Sequence, residues 1–180
     1  IEPVAAGLAH VHLVQGGKYY GAHLGPFPTP AREDDARHMP PNFYYDQQDL
    51  LAERQRGRDW AWSVSRPDFV WDLAPERARN MVSVIATYAA ITAELDLPFD
   101  FPGTQACFDA IKQATDATHL ARAMIFIAST PACANQAFNV TNGDLFRWNR
   151  LWPKIAAHFK LKEGVTRPMT LADVMADKDA

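Results

Sequence analysis

The chain has 180 residues, 48% of them hydrophobic, enough to bury a core of its own. With 18 basic against 21 acidic residues the formal net charge is -3, which argues against a nucleic-acid or anionic-membrane partner, since either would want a basic face. No apolar run approaches a membrane span, and residues 1–13 have neither the charged start nor the apolar stretch of a signal peptide. The two cysteines, Cys107 and Cys133, lack CxxC spacing, so a reduced, cytoplasmic protein is expected.

Residues 8–14 alternate apolar and polar side chains and stop at Gly16 and Gly17, the pattern of a strand feeding a loop. His10 and His12 share one face of it, but no third ligand is near, so hydrogen-bonded or exposed histidines are expected rather than a metal pair. Residues 21–41 are rich in proline, glycine and charge and read as one long irregular loop, a kind that is often functional. Its acidic run, Glu33, Asp34 and Asp35, is expected to be a solvated face. Asn42 is a good N-cap for a helix over residues 43–56, with Gly57 as its stop. Residues 60–64 read as a buried strand ending at Arg66-Pro67.

Further on, the spacing of Met81, Val84, Ile85, Tyr88, Ala89 and Ile91 predicts a helix over residues 76–95. LPFDFPG predicts a short strand and turn, and residues 116–128 a helix capped near Thr115. FNVTNGD reads as a strand ending at an Asn-Gly turn; it contains the sequon Asn139-Val-Thr141, which a cytoplasmic protein would not use. Phe146, Trp148, Leu151, Trp152, Ile155 and Phe159 predict a helix over residues 145–160 whose stripe is core or an interface. The tail is polar, with one weak set of helical turns. Strand and helix alternate, the pattern of an α/β fold with a largely parallel sheet, and no internal repeat is present.

Tyr44 and Tyr45 open the helix that Asn42 caps. Taken alone, packing is the commoner role for such a pair. The tyrosine of a short-chain dehydrogenase is followed four residues later by a lysine, whereas here Gln48 follows Tyr44 and Asp49 follows Tyr45. Four segments bear on this: GGKYYGAHLGPF (16–27), PNFYYDQQDLL (41–51), WSVSRPDFVW (62–71) and FNVTNGDLFRWNRLWPKIAAHF (138–159). Together, and in this order, they resemble the progesterone 5β-reductase/iridoid synthase-like enone reductases, an atypical branch of the extended short-chain dehydrogenases. The first two segments are the specific ones; an RP strand and FNVTNGD fit extended short-chain dehydrogenases generally.

The resemblance implies a Rossmann-like α/β fold, incomplete at its N-terminus, with a small substrate-binding C-terminal part. Residues 1–72 would be the end of the Rossmann-like domain and residues 73–180 mainly the substrate-binding part, with a strand and a helix returning to the core. It implies that the catalytic lysine is relocated to Lys18, with Tyr44 as its tyrosine and Tyr45 structural. Lys18, Tyr44, Pro67 and Val70 would face the cofactor, NADPH or alternatively NADH, and Leu24 and Phe27 the substrate. Cys107 would fall near the substrate side, against its plainer reading as a small buried hydrophobe. Asp68, Phe69 and Asp72 stand where the plant proteins have glycine, asparagine and glycine, which bears on substrate choice. A homodimer through the long helices would be in keeping with the relatives. The sequence contains neither GxGxxG nor GxxGxxG, so these 180 residues alone are expected to bind NADPH weakly or not at all.

The chemistry implied is hydride transfer to the β-carbon of an enone or to a carbonyl carbon. A phenol stabilises the developing oxyanion, and an ammonium assists it and holds ribose hydroxyls. Two other readings stay open. One is an extended dehydrogenase acting on a nucleotide sugar, as an epimerase or dehydratase. The other is a reductase-like protein that senses a dinucleotide or binds a partner without catalysis.

Overall fold

A computed structural model describes residues 4–74 and 80–176. The chain divides into two compact units. One runs as far as Val70 and takes up Thr115–Asn142 again; the other comprises Trp71–Ala114 and the chain from Gly143 onward.

The first unit is a three-stranded parallel sheet in the order β1 (His10–Val14), β2 (Ala61–Pro67), β6 (Gln136–Val140). Its register sets His12 against Ser63 and Val64 against Ala137. Because side chains alternate along a strand, β2 sends Trp62 and Val64 to one face and Ser63 and Ser65 to the other. Val64 is fully buried, packed with Val11, Leu13 and Ala137 and with Leu51 and Ala52 of α1 (Phe43–Gln55). Phe138 and Val140 turn the other way, against Leu120, Met124 and Ile127 of α4 (Ala117–Ser129). Helices thus cover both faces, as a parallel sheet requires.

On the α4 side His10 and His12 line up with the serines of β2. The Ser63 hydroxyl lies 2.6 Å from His10 Nε2 and 2.7 Å from His12 Nδ1, and His12 Nε2 lies 3.0 Å from the Ser65 hydroxyl. One hydroxyl has one proton, so Ser63 donates to one imidazole and accepts from the other. Burial pushes both histidines below the ordinary imidazole range, with His10 a further cause for His12. They are hydrogen-bonded, as expected, and among the described residues no group of three metal-ligating side chains occurs.

In the second unit α2 (Met81–Glu94), capped by Asn80, packs Ile85, Tyr88 and Ala89 into an aromatic core. Phe99 of β4 (Phe99–Phe101) is fully buried there, its ring stacked on Trp152 at 4.3 Å. Trp148 and Trp152 come from α5 (Trp148–His158), so their stripe is core, while Phe159 just beyond is partly exposed. Residues 76–79 of the helix expected over 76–95 lie outside the described residues.

Two expectations are corrected. Residues 145–147 are not helix but β7 (Leu145–Arg147), antiparallel to the start of β5 (Ile111–Asp116), with Ile111 opposite Arg147; ladder pairing with a distant segment overrides the helical spacing. The α4 cap is Asp116, whose carboxylate accepts from His119 N at 2.8 Å. Thr115 instead lies within β5, one residue before its end, its hydroxyl donating to the Val140 carbonyl at 3.0 Å and accepting from Asp68 N at 3.2 Å. Cys107, on α3 (Gln105–Asp109), packs against the aromatic core. β3 (Phe69–Trp71), β8 (Glu163–Thr166) and α6 (Leu171–Ala176) complete the order. Among the described residues no helix is long and apolar enough to cross a membrane.

Candidate active site

Gly16 leaves β1 in extended conformation, and residues 17–20 form a single 3-10 turn (Gly17–Tyr20) that aims Tyr19 and Tyr20 inward. Gly21 closes the turn at φ 84°, a left-handed conformation that glycine adopts without penalty. Lys18 is exposed on this turn, and its carbonyl accepts from the Asn42 amide at 2.8 Å. The other end of that amide caps α1, Asn42 Oδ1 accepting from Tyr44 N at 3.1 Å. A single buried asparagine therefore ties the lysine's backbone to the helix start two residues before Tyr44.

The two tyrosines part company here. Tyr45 is buried, and its hydroxyl donates to the Tyr19 carbonyl at 2.6 Å while accepting from His38 N at 2.7 Å. Its ring meets that of Tyr19 edge-on at 4.9 Å. Tyr44 is only partly buried, and its hydroxyl makes no hydrogen bond among the described residues. That hydroxyl borders Gly16: a β-carbon built on Gly16 would sit 3.9 Å from it and 3.3 Å from the Pro67 carbonyl. The bare glycine leaves open the space between the phenol and the end of β2.

Of the other residues singled out, Pro67 is buried at the end of β2, while Val70 and Leu24 are 40% and 55% exposed. Phe27 packs against the tyrosine cluster, parallel to Tyr20 at 6.4 Å. Residues 21–41 are irregular, as expected, yet anchored. Arg37 forms a two-pronged ion pair with Asp49 of α1 at 2.5 and 2.7 Å. Asn139 holds Ala31 and Glu33: its amide donates to the Ala31 carbonyl at 3.0 Å, and its backbone N donates to the Glu33 carboxylate at 2.6 Å. Glu33 and Asp34 are exposed and Asp35 is partly buried, and Glu33 is bonded rather than merely solvated. The sequon asparagine has both ends of its amide engaged, since Asn139 Oδ1 also accepts from the Tyr20 hydroxyl at 2.7 Å.

Arg66, near the end of β2, carries no expectation from the sequence beyond marking the strand's end. This guanidinium is 3% exposed and lies 3.3 Å above the Tyr19 ring, where a desolvated cation–π contact contributes about 2 kcal/mol. It donates to Gln15 Oε1 at 3.2 Å, to the Tyr20 hydroxyl at 3.0 Å and to Gln48 Oε1 at 3.0 Å. Gln48, which follows Tyr44 by four residues, is thus not an empty lysine position but an acceptor for a buried cation. Burial raises the Tyr20 phenol above its ordinary value, an effect the Arg66 hydrogen bond opposes. An arginine inside an otherwise buried strand is the signal that would have found this, because a buried charge demands partners.

Three parallel strands, helices on both faces and a phenol beside a glycine at the strand ends define a Rossmann-like unit of the short-chain dehydrogenase type. A structure of RMD from Pseudomonas aeruginosa complexed with NADPH has the same fold, with TM-score 0.66 and 19% identity over 92% of this chain and 55% of that one. The model of the PRISE-like Rossmann-fold domain matches residues 1–174, and the chain belongs to that family. It is 41% identical to a short chain dehydrogenase, gsfE, of Penicillium aethiopicum, over 90% of this chain and 44% of that protein. It is 35% identical to the (S)-8-oxocitronellyl enol synthase CYC2 of Camptotheca acuminata, over 98% and 48%. To the 3-oxo-Delta(4,5)-steroid 5-beta-reductase of Arabidopsis thaliana it is also 35% identical, over 91% and 44%. The chain spans somewhat less than half the length of these curated relatives.

Proposed function

We propose that this chain is the catalytic portion of an NADPH-dependent reductase that delivers hydride to the β-carbon of an enone, or to a carbonyl carbon. The observation that carries the reading is the divergence of two adjacent tyrosines. Tyr45 is held on both sides by hydrogen bonds, whereas the Tyr44 hydroxyl has no hydrogen bond among the described residues and borders the open space at Gly16. The relatives named as an enol synthase and a steroid 5-beta-reductase support the enone as acceptor.

Gly16, Pro67, Tyr44, Lys18 and Val70 fit the nicotinamide and ribose end of a dinucleotide, offering flat backbone, a phenol, an ammonium and an apolar side chain. The pyrophosphate end has no glycine-rich counterpart in this sequence. When bound, NADPH supplies the hydride. As it reaches the β-carbon, the alkene electron pair shifts toward the carbonyl and negative charge builds on the oxygen. Tyr44 donates a hydrogen bond to that oxygen, and the positive end of α1 lies under it. Lys18 assists the phenol and holds ribose hydroxyls. Leu24 and Phe27 line the acceptor's side.

The test is NADPH oxidation by the complete protein with a small enone, with NADH in a parallel assay and Tyr44→Phe as comparison. Turnover by the native protein and its loss in the variant support the reading. Background rates for both, in protein that is folded and has bound cofactor, would sink it.

A further inference from the structure

Arg66 touches the segments that carry Lys18, Leu24 and Phe27, Tyr44 and Pro67. From β2, next to Pro67, it reaches Gln15 at the end of β1, beside Gly16. It stacks on Tyr19 and bonds Tyr20 in the turn that holds Lys18. It donates to the Glu33 carbonyl at 3.4 Å in the loop that carries Leu24 and Phe27, and to Gln48 on the helix that carries Tyr44. Gln15 extends the reach, its amide nitrogen donating to the Tyr44 carbonyl at 2.8 Å. Each hydrogen-bond acceptor of the guanidinium is neutral, so Arg66 works here as a planar fork with several fixed donors.

We propose that Arg66 is a positioning residue for Tyr44, acting through Gln15 and Gln48 to fix where the phenol stands relative to Lys18 and the end of β2. This rests on the reductase reading above. The guanidinium does not itself meet the substrate; it is buried beneath Tyr19. A lysine keeps the charge but gathers its three donors on one nitrogen of a flexible stem, so it does not match acceptors spaced around Nε and the two terminal nitrogens of the planar fork. The expected consequence is misplacement of Tyr44 without loss of binding. A shift of about 1 Å at a reacting group costs on the order of 10²-fold in rate.

The experiment uses the complete protein with Arg66→Lys and Gln15→Met. In Arg66→Lys, kcat for enone reduction should fall about 10²-fold, while KM for the enone and Kd for NADPH change less than twofold. Gln15→Met keeps the volume and removes one arm of the fork, and should lower kcat with KM again unchanged. A folded Arg66→Lys protein with native kcat would overturn the proposal, as would a loss matched by an equal rise in KM. If Arg66→Lys does not fold, Gln15→Met decides: native kcat there overturns it.

A readout independent of turnover separates this from the function itself. In protein labelled with carbon-13 in its tyrosine rings, Arg66→Lys should shift the Tyr44 signal and leave that of Tyr88, in the second unit, in place. If the native protein reduces neither an enone nor a simple carbonyl, the reductase reading fails on its own. An unmoved Tyr44 signal then overturns the positioning role as well, and a shifted one supports it.

Discussion

Exchanging each of the adjacent tyrosines for phenylalanine removes one oxygen at two neighbouring positions, and the structure predicts opposite outcomes. Tyr45→Phe deletes a hydroxyl that donates to the Tyr19 carbonyl at 2.6 Å and accepts from His38 N at 2.7 Å. Each lost hydrogen bond costs about 1 kcal/mol net, so stability should drop by about 2 kcal/mol. The Arg37 guanidinium, 4.9 Å from the centre of the Tyr45 ring, keeps its aromatic partner. Tyr44→Phe deletes a hydroxyl without a bond among the described residues and should change stability by less than about 0.5 kcal/mol. Its effect falls on catalysis, where removing one donor to a developing oxyanion costs about 10²–10³-fold in kcat. Urea unfolding and steady-state enone reduction on the two variants of the complete protein give all four numbers. If Tyr45→Phe abolishes turnover at native stability while Tyr44→Phe unfolds the protein, the two roles are exchanged and the assignment is refuted.

Gly16→Ala would place a methyl 3.3 Å from the Pro67 carbonyl and 3.9 Å from the Tyr44 hydroxyl; kcat/KM should fall at least tenfold, with unfolding shifted far less. Gly164→Ala runs into Asp100, its β-carbon falling against the carboxylate and 2.7 Å from the backbone N, and should cost about 3 kcal/mol in urea unfolding, the upper end of overpacking. Burial lowers the pKa of His10 and His12 on folding, so the unfolded chain binds their protons first as pH falls. Their contribution is complete above the ordinary imidazole value of about 6.5 and is lost as pH drops through the depressed folded values. Urea midpoints measured from pH 7.5 down to 5 should fall, and His12→Asn should flatten the slope; an unchanged slope would contradict the assignment.

Local chemistry was legible in the sequence. Asn42 caps its helix, Gly57 follows the end of α1 at φ 72°, and residues 21–41 form the irregular loop their composition announces. Separation of Tyr44 from Tyr45 was legible too, because helix geometry turns neighbours to different sides. What the sequence hid depends on partners far along the chain. β7 is a strand because residues 111–113 lie beside it, and no periodicity within FNVTNGDLFRW records that. Arg66 looked like punctuation before Pro67, since its acceptors lie 18, 46 and 51 residues away. Glu33 read as a solvated acid for the same reason: Asn139 N is 106 residues distant.

The loop over residues 21–41 is secured toward its far end, by Asn139 at Ala31 and Glu33, by Asp49 at Arg37 and by Tyr45 at His38. Between Ala22 and Pro30 its hydrogen bonds run to near neighbours, such as Leu24 N to the Gly21 carbonyl and the Thr29 hydroxyl to the Phe27 carbonyl. That stretch behaves as a removable panel in a fixed frame. On the proposed reductase reading, insertions, deletions and exchanges there would leave the posts standing, so new acceptor shapes could be tried while the Tyr44 phenol stays where it is.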